Sequence, residues 1–415
     1  MTHQRRNLVF LVVSLLLIVG AAALGIYMKN GGYAPLPAAS SSGGEDETSH
    51  PTIPPSAPSK ADSENNQDES MPEASGIFSD YYANAKQKAA GMTIEEKVGQ
   101  VFLARYPGEG AKTQITANHP GGFVLFAKDF KNKSKTTVKN ELKDCQSASN
   151  IPLILGVDEE GGTVVRVSSN TALSPRRFLS PQTLFQQGGL AGIREDTRQK
   201  SQLLLELGLN LNLAPVADVS TDRNDFIHSR TFGMGAQATS EYIQQVVREM
   251  NKENLSGALK HFPGYGNNSD THTGLARDTR PYSDFVSNDF LPFSAGISEG
   301  VPCVLVSHVI VECMDAQHPA SLSPKVHRIL REDLGFTGVI LTDDLAMDAI
   351  ADYSGGENPA VSAFLAGNDM LLCSDLETSY QALLEAVRSG QISQNRLDLS
   401  VIRILSWKYS KGILS

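Results

Sequence analysis

Residues 77–415 alternate between short apolar runs and amphipathic stretches of helical period, and this rhythm constrains the fold more than any other feature of the chain. Eight runs are readable: Val98–Ala104, Gly121–Ala127, Pro152–Asp158, Leu209–Pro215, Gly257–Phe262, Cys303–His308, Gly338–Asp343 and Asp369–Ser374. Between and after them lie helical patterns such as IREDTRQKSQLLLELG, TSEYIQQVVREMNKEN, SPKVHRILREDLG and LETSYQALLEAVRSG, several opened by Ser, Thr or Asp and closed by Gly. Eight β-α units with no second domain predict an α/β fold, a (β/α)8 TIM barrel over 77–415.

Two further segments precede it. Leu8–Met28 is a run of 21 residues without a charge, preceded by Arg5 and Arg6. At 1.5 Å per residue it is long enough to cross a hydrocarbon core of ~30 Å. Residues 1–29 are therefore expected to form a signal anchor, a single transmembrane helix with the arginines inside and the rest of the chain outside. The competing reading is a signal peptide cleaved near Ala21-Ala22-Ala23, with secretion of the remainder. Residues 30–76 hold seven of the twenty prolines, eight acidic residues and Lys60, with runs such as SSSGGEDETS. Almost no apolar residue there can offset the entropy of ordering, so the segment reads as a disordered tether.

Charge narrows the function. With 46 acidic against 36 basic residues the net charge is −10, which disfavours a nucleic-acid partner. The four cysteines form no CxxC pair, and neither a zinc ribbon nor a disulfide framework is readable.

In a TIM barrel the chemistry lies at the C-terminal ends of the strands. The runs end on Asp158, Asp218 (just past its run), Lys260-His261, His308 and Asp343. Each alone could be a helix cap or a turn former, but five together strain that reading. Lys260 inside a barrel strand is expensive without a partner or ligand. The fifth run continues into KHFPGYGNNSDTHTGLARDTR, where Asp270 and His272 are two apart. Such a pair is either an Asx turn beside a solvated histidine or a general acid/base whose carboxylate supports the imidazole. No further group at ligand spacing completes a metal site. In LTDDLAMDAI, Asp343 and Asp344 leave the strand on opposite sides. Asp343 is the candidate nucleophile or electrostatic stabiliser and Asp344 the N-cap or turn residue.

These residues give the chain its resemblance to a known family. From MTIEEKVGQVF through PGGFVLF, GVDEEGGTVVRV, LNLNLAPVADV, SRTFG, ALKHFPGYGNNSDTH, PASLSPKV and GFTGVILTDDLAM to AGNDMLL, residues 92–372 resemble glycoside hydrolase family 3. Within it they resemble the single-barrel β-N-acetylglucosaminidases of bacterial cell-wall metabolism. The resemblance implies Asp343 as nucleophile and Asp270 with His272 as the acid/base dyad. It implies Asp158, Arg230, Lys260 and His261 as residues that bind sugar hydroxyls. Asp218, His308 and Met347 match motif positions without a specific role.

The implied function is a retaining exo-glycosidase that removes terminal β-linked N-acetylglucosamine, from peptidoglycan-derived glycans, with no metal or organic cofactor. The expected partners are a carbohydrate substrate and, through the N-terminal segment, the membrane; the domain is expected to be monomeric. The alternatives are a β-glucosidase, β-xylosidase or glycoside phosphorylase on the same site, or a non-catalytic surface glycan-binding protein. Three departures from the family pattern bear on the choice. Tyr265 and Asn267 replace a His and an Asp, Thr163 replaces an Arg, and Glu159 stands where Gln is usual.

Overall fold

The structure is a computed structural model, and it describes residues 76–266, 276–347, 350, 353 and 356–415. The expected signal anchor, the tether, and both Asp270 and His272 lie outside the described residues. Among the described residues no helix is long and apolar enough to cross a membrane.

Eight parallel strands form the barrel: β1 (Phe102–Arg105), β2 (Gly122–Leu125), β3 (Ile154–Val157), β4 (Leu211–Asn212), β5 (Ser256–Phe262), β7 (Cys303–Val306), β9 (Val339–Thr342) and β10 (Leu371–Cys373). Their order is β10-β1-β2-β3-β4-β5-β7-β9. A single parallel bridge, Leu341 to Met370, brings β9 back against β10. All eight apolar runs supply a barrel strand, and helices follow between them, as the alternating pattern requires. A short parallel pair, β6 (Arg277–Asp278) with β8 (Ile310–Val311), lies outside the barrel.

The first run needs a correction. Val98–Gln100 is not strand but the last turn of a helix, Ile94–Gln100, and the strand runs from Phe102 to Arg105. The cause is local: Thr93 caps the helix by accepting from the Glu96 N–H at 3.2 Å, and Glu96 returns a hydrogen bond to the Thr93 N–H at 3.0 Å. This reciprocal capping satisfies two orphan donors and carries the helix into the apolar stretch. Other helices start in the same way, with Ser134, Ser180, Ser323, Asp375 and Ser393 each capping through the side chain.

Strand parity decides what faces the barrel interior. Asp158, just beyond β3, reaches Lys260 on β5, two strands away, so its face is the inner one. By alternation Gly156 and Ile154 share it. The register then places Val124 and Arg105 on the same face, through Arg105 opposite Val124 and Val124 opposite Gly156. Below this layer the barrel is filled by apolar side chains, with Leu103, Ile154, Leu211, Ala258, Cys303 and Leu341 buried. Trp407, from the Gln394–Ser410 helix, donates its indole N–H to Ser256 Oγ at the start of β5, 2.9 Å away.

A buried ionic cluster ties the N-terminal ends of β9 and β10. Asp369 Oδ2 accepts from the Ile340 N–H at 2.9 Å and from Arg331 at 2.5 Å, while Oδ1 pairs with Arg403 and Ser400. Burial pushes the Asp369 carboxyl up, but Arg403 and Arg331 outweigh it and hold it at about 2.

Candidate active site

The mouth of the barrel is built around Lys260. Its ammonium lies 2.6 Å from Asp158 Oδ1 and 2.6 Å from Glu160 Oε1. Glu160 in turn grips Arg230, accepting from Nε at 3.0 Å and from Nη2 at 2.7 Å. Two carboxylates and two cations thus form one continuous network between β3, β5 and the loop after β4. Lys260 and Glu160 have side chains only 3% exposed, whereas that of Asp158 is 16% exposed. The Arg230 side chain is also 16% exposed, so Asp158 and Arg230 are the two members open to an incoming hydroxyl.

The electrostatics follow from this geometry. Burial pushes the Glu160 carboxyl up, but Lys260 and Arg230 overcome it and hold the group at about 2. Burial pulls the Lys260 ammonium down, and Asp158 with Glu160 more than reverses this, leaving it above the usual lysine value. Arg230 is raised in the same manner: burial lowers it and Glu160 outweighs the burial. All three stay charged at neutral pH, as buried charges do only when paired.

His261 sits beside this network, following a cis peptide bond with Lys260. Its Nδ1 lies 2.7 Å from Asp218 Oδ2, and its Nε2 lies 3.2 Å from Arg230 Nη2. The arginine can only donate, so Nε2 accepts and the Nδ1 proton goes to Asp218. Asp218 also accepts the N–H groups of His261, at 3.1 Å, and Tyr265, at 2.7 Å. It is a positioning residue that fastens the PGYG segment to the loop after β4, which explains its place in a motif.

That segment passes through a tight gap. Gly264 has φ +125°, and a Cβ there would lie 2.4 Å from Asp289 Oδ1; at Gly266, φ +54°, it would meet the Arg280 guanidinium. Arg280 is itself held by Asp278 and Asp289. Tyr265 between them is buried, with its ring edge-on to His261 at 5.4 Å. The substitution of Tyr for the usual His thus adds an aromatic wall; Asn267 lies outside the described residues.

Asp343 follows β9 directly. Its backbone N–H donates to Val306 O at 3.0 Å, and its Oδ1 accepts the N–H of Asp344 at 2.9 Å. Asp344 is the turn residue expected, accepting from the Ala346 N–H at 3.0 Å and from Ser374 Oγ at 2.7 Å. His308 donates from Nε2 to Asp344 O at 3.0 Å and accepts from Ser321 Oγ at Nδ1, 2.7 Å away. It is a buried strut under the turn that carries Asp343.

The structure thus brings Asp158, Lys260, His261 and Arg230 together, with Asp343 at the end of another barrel strand. Sequence reasoning missed three residues. Glu160, the centre of the network, carries no local signal beyond lying in the DEEGG motif. Arg105 closes β1 on the inner face, its guanidinium 4.6 Å from the Phe126 ring centroid, and its Nε has no hydrogen bond among the described residues. Arg166 Nε is likewise unpaired among the described residues. The Arg166 backbone is fixed by Glu159, whose carboxylate accepts the N–H groups of Arg166 at 2.8 Å, Val167 at 2.7 Å and Ser168 at 3.1 Å, and pairs with the Ser168 hydroxyl. Among the described residues no group of three metal-ligating side chains forms a metal site.

Residues 93–407 match the family profile described as glycosyl hydrolase family 3 N terminal domain. A β-hexosaminidase of Nitrosomonas eutropha is 31% identical over 296 residues, covering 68% of this chain and 84% of that protein. The β-hexosaminidase LpqI of Mycobacterium tuberculosis is 27% identical, covering 76% and 83%. Among solved structures, a family 3 β-N-acetylglucosaminidase from a Paenibacillus strain superposes with a TM-score of 0.73 at 30% identity, covering 78% of this chain and 63% of its own. With a matching profile over most of its length and relatives of this similarity, the chain belongs to glycosyl hydrolase family 3.

Proposed function

We propose that this glycoside hydrolase removes terminal, non-reducing β-linked N-acetylglucosamine by retaining double displacement. The carrying observation is the pairing of an inner-face carboxylate at the end of β9, Asp343, with a preorganised hydroxyl-binding network, Asp158–Lys260–Glu160–Arg230, at the same mouth. The relatives named β-hexosaminidase and β-N-acetylglucosaminidase support the sugar.

Asp343 would attack the anomeric carbon while His272, oriented by Asp270, protonates the leaving oxygen; His272 would then activate the water that releases the sugar. Lys260 and Arg230 hold the acidic side chains in place, and Asp158 accepts a hydroxyl of the terminal sugar. His261, with its proton on Nδ1, keeps Nε2 as an acceptor.

The same proposal takes residues 1–29 as a membrane anchor and residues 30–76 as the tether that lets the barrel search glycans outside the cell, peptidoglycan fragments first among them. The charge-free length of Leu8–Met28 and the paired arginines before it support this reading.

Turnover of aryl β-N-acetylglucosaminide beside the matching glucoside and xyloside tests the sugar, and the anomer released first, followed by NMR, tests retention. Preference for the N-acetyl substrate with β product is expected. Preference for another glycoside, or α product, would overturn the reading.

A further inference from the structure

The loop that delivers Arg230 also carries Phe226, whose side chain faces solvent: the residue is 41% exposed. A lone exposed phenylalanine is ordinary. This one is held in place. Ser220 Oγ donates to Asp225 Oδ2 at 2.7 Å, the Asn224 N–H donates to Asp222 Oδ1 at 2.9 Å, and His228 Nδ1 lies 3.2 Å from Ser220 O. Backbone bonds from His228 to Asp225 and from Arg230 to Ile227 close the turn, and Ile227 next to the phenyl ring is buried. The loop therefore fixes Ile227 inward and Phe226 outward.

Three rings lead from the hydroxyl-binding network to solvent. His261 packs edge-on against Tyr265 at 5.4 Å, and Tyr265 meets Phe226 at 6.1 Å with the planes tilted by 46°. Tyr265 is two residues before the segment that carries Asp270 and His272 in sequence. Phe226 thus stands at the rim beside the network, four residues ahead of Arg230. A pyranose ring presents a face of C–H groups, and an aromatic ring at a rigid rim offers that face an apolar, polarisable surface at little entropic cost.

We propose that Phe226 is a platform for the sugar on the leaving-group side of the scissile bond, a second β-linked N-acetylhexosamine residue of the glycan. This assignment rests on the proposed β-N-acetylglucosaminidase activity. Phe226 is then a specificity-determining residue that favours glycan leaving groups over small ones.

The test compares kcat/KM of the whole protein for N,N′-diacetylchitobiose and for methyl β-N-acetylglucosaminide, in wild type, Phe226→Ala and Phe226→Trp. Phe226→Ala is expected to lose about tenfold on the disaccharide and less than about twofold on the methyl glycoside, with Phe226→Trp retaining the disaccharide activity. Equal losses on both substrates would show that the ring serves the terminal-sugar site or its loop, and would overturn the platform. No loss on either would make Phe226 an ordinary surface residue. A wild type inactive on both substrates would instead remove the β-N-acetylglucosaminidase reading, and the platform with it.

Discussion

Glu160 holds Arg230 through two hydrogen bonds, 3.0 Å and 2.7 Å long, and its Oε1 simultaneously lies 2.6 Å from Lys260. One buried carboxylate therefore sets the positions of two cations that belong to different strands and loops. Replacing it by glutamine keeps the shape and removes the charge. Glu160→Gln is expected to lower kcat/KM on an aryl N-acetylglucosaminide at least about a hundredfold and to destabilise the fold by about 3 kcal/mol, because Lys260 keeps only Asp158 and Arg230 loses its paired carboxylate. Steady-state kinetics and urea denaturation of the same variant check both figures.

The same group gives a pH dependence. Its carboxyl is held at about 2 in the fold against an ordinary value of 4.5, so the unfolded chain binds the proton first as pH falls. The stabilisation is complete above about pH 4.5 and disappears progressively as pH drops toward 2. Asp369, also held at about 2, adds to the loss over the same range. Thermal melts between pH 6 and 2.5 should show a shallower fall in Glu160→Gln than in wild type, and equal slopes would count against the pairing.

Asp343→Asn is expected to reduce turnover of the aryl glycoside by more than about a thousandfold, as loss of a nucleophile does. The melting temperature should barely move, because asparagine keeps the backbone N–H that donates to Val306 O and an Oδ1 able to accept the Asp344 N–H. Appreciable residual turnover at unchanged stability would assign the nucleophile elsewhere.

Glu159 invites a substitution toward the residue usual in the family. Its two oxygens accept three backbone N–H groups and the Ser168 hydroxyl. Glutamine offers one oxygen and turns an NH2 group toward a donor. Glu159→Gln should cost about 1–3 kcal/mol in urea denaturation and loosen the loop that bears Arg166. A neutral result would mean that the loop is held by other contacts.

Lys408 is fully buried, with its ammonium 2.7 Å from Gln100 Oε1, and burial pulls its pKa down to about 7. Between about pH 7 and 10 the unfolded chain keeps a proton that the fold has released, so this residue makes stability rise with pH. Lys408→Met should be more stable than wild type at pH 7 and should flatten that rise. Denaturation at pH 7, 8.5 and 10 reads the difference; a parallel rise in the variant would assign the slope to other groups, such as Lys411.

Much of the barrel was legible because each strand is a short apolar run bounded by polar residues, and parallel strands bury both faces. The polar residues closing those runs, Asp158, Lys260, His261 and Asp343, stand at the mouth for the same reason. Val98–Gln100 misled because apolar residues near a helix end look like the start of a strand, and the deciding capping box lies upstream at Thr93. Arg105 was passed over because the first run reads as ending at Ala104. Glu160 was illegible for a deeper reason: its partners are 70 and 100 residues away, and no local pattern announces a long-range ion pair.

The barrel closes between β9 and β10, and there the joint is made with few backbone hydrogen bonds. Thr342 Oγ1 accepts the Leu372 N–H at 3.0 Å, the Thr342 N–H reaches Met370 O at 3.2 Å, and the Leu345 N–H reaches Leu372 O at 3.0 Å. Asp343 sits between Thr342 and Leu345, so its carboxylate rides on the seam of the cylinder. Asp369 rivets one end of that seam, and the Asp344–Ser374 contact latches the other. A change at either fastening reaches Asp343 through the backbone of the seam, which makes Asp369 and Ser374 places where the end of β9 can be retuned while Asp158, Lys260, His261 and Arg230 keep their own contacts.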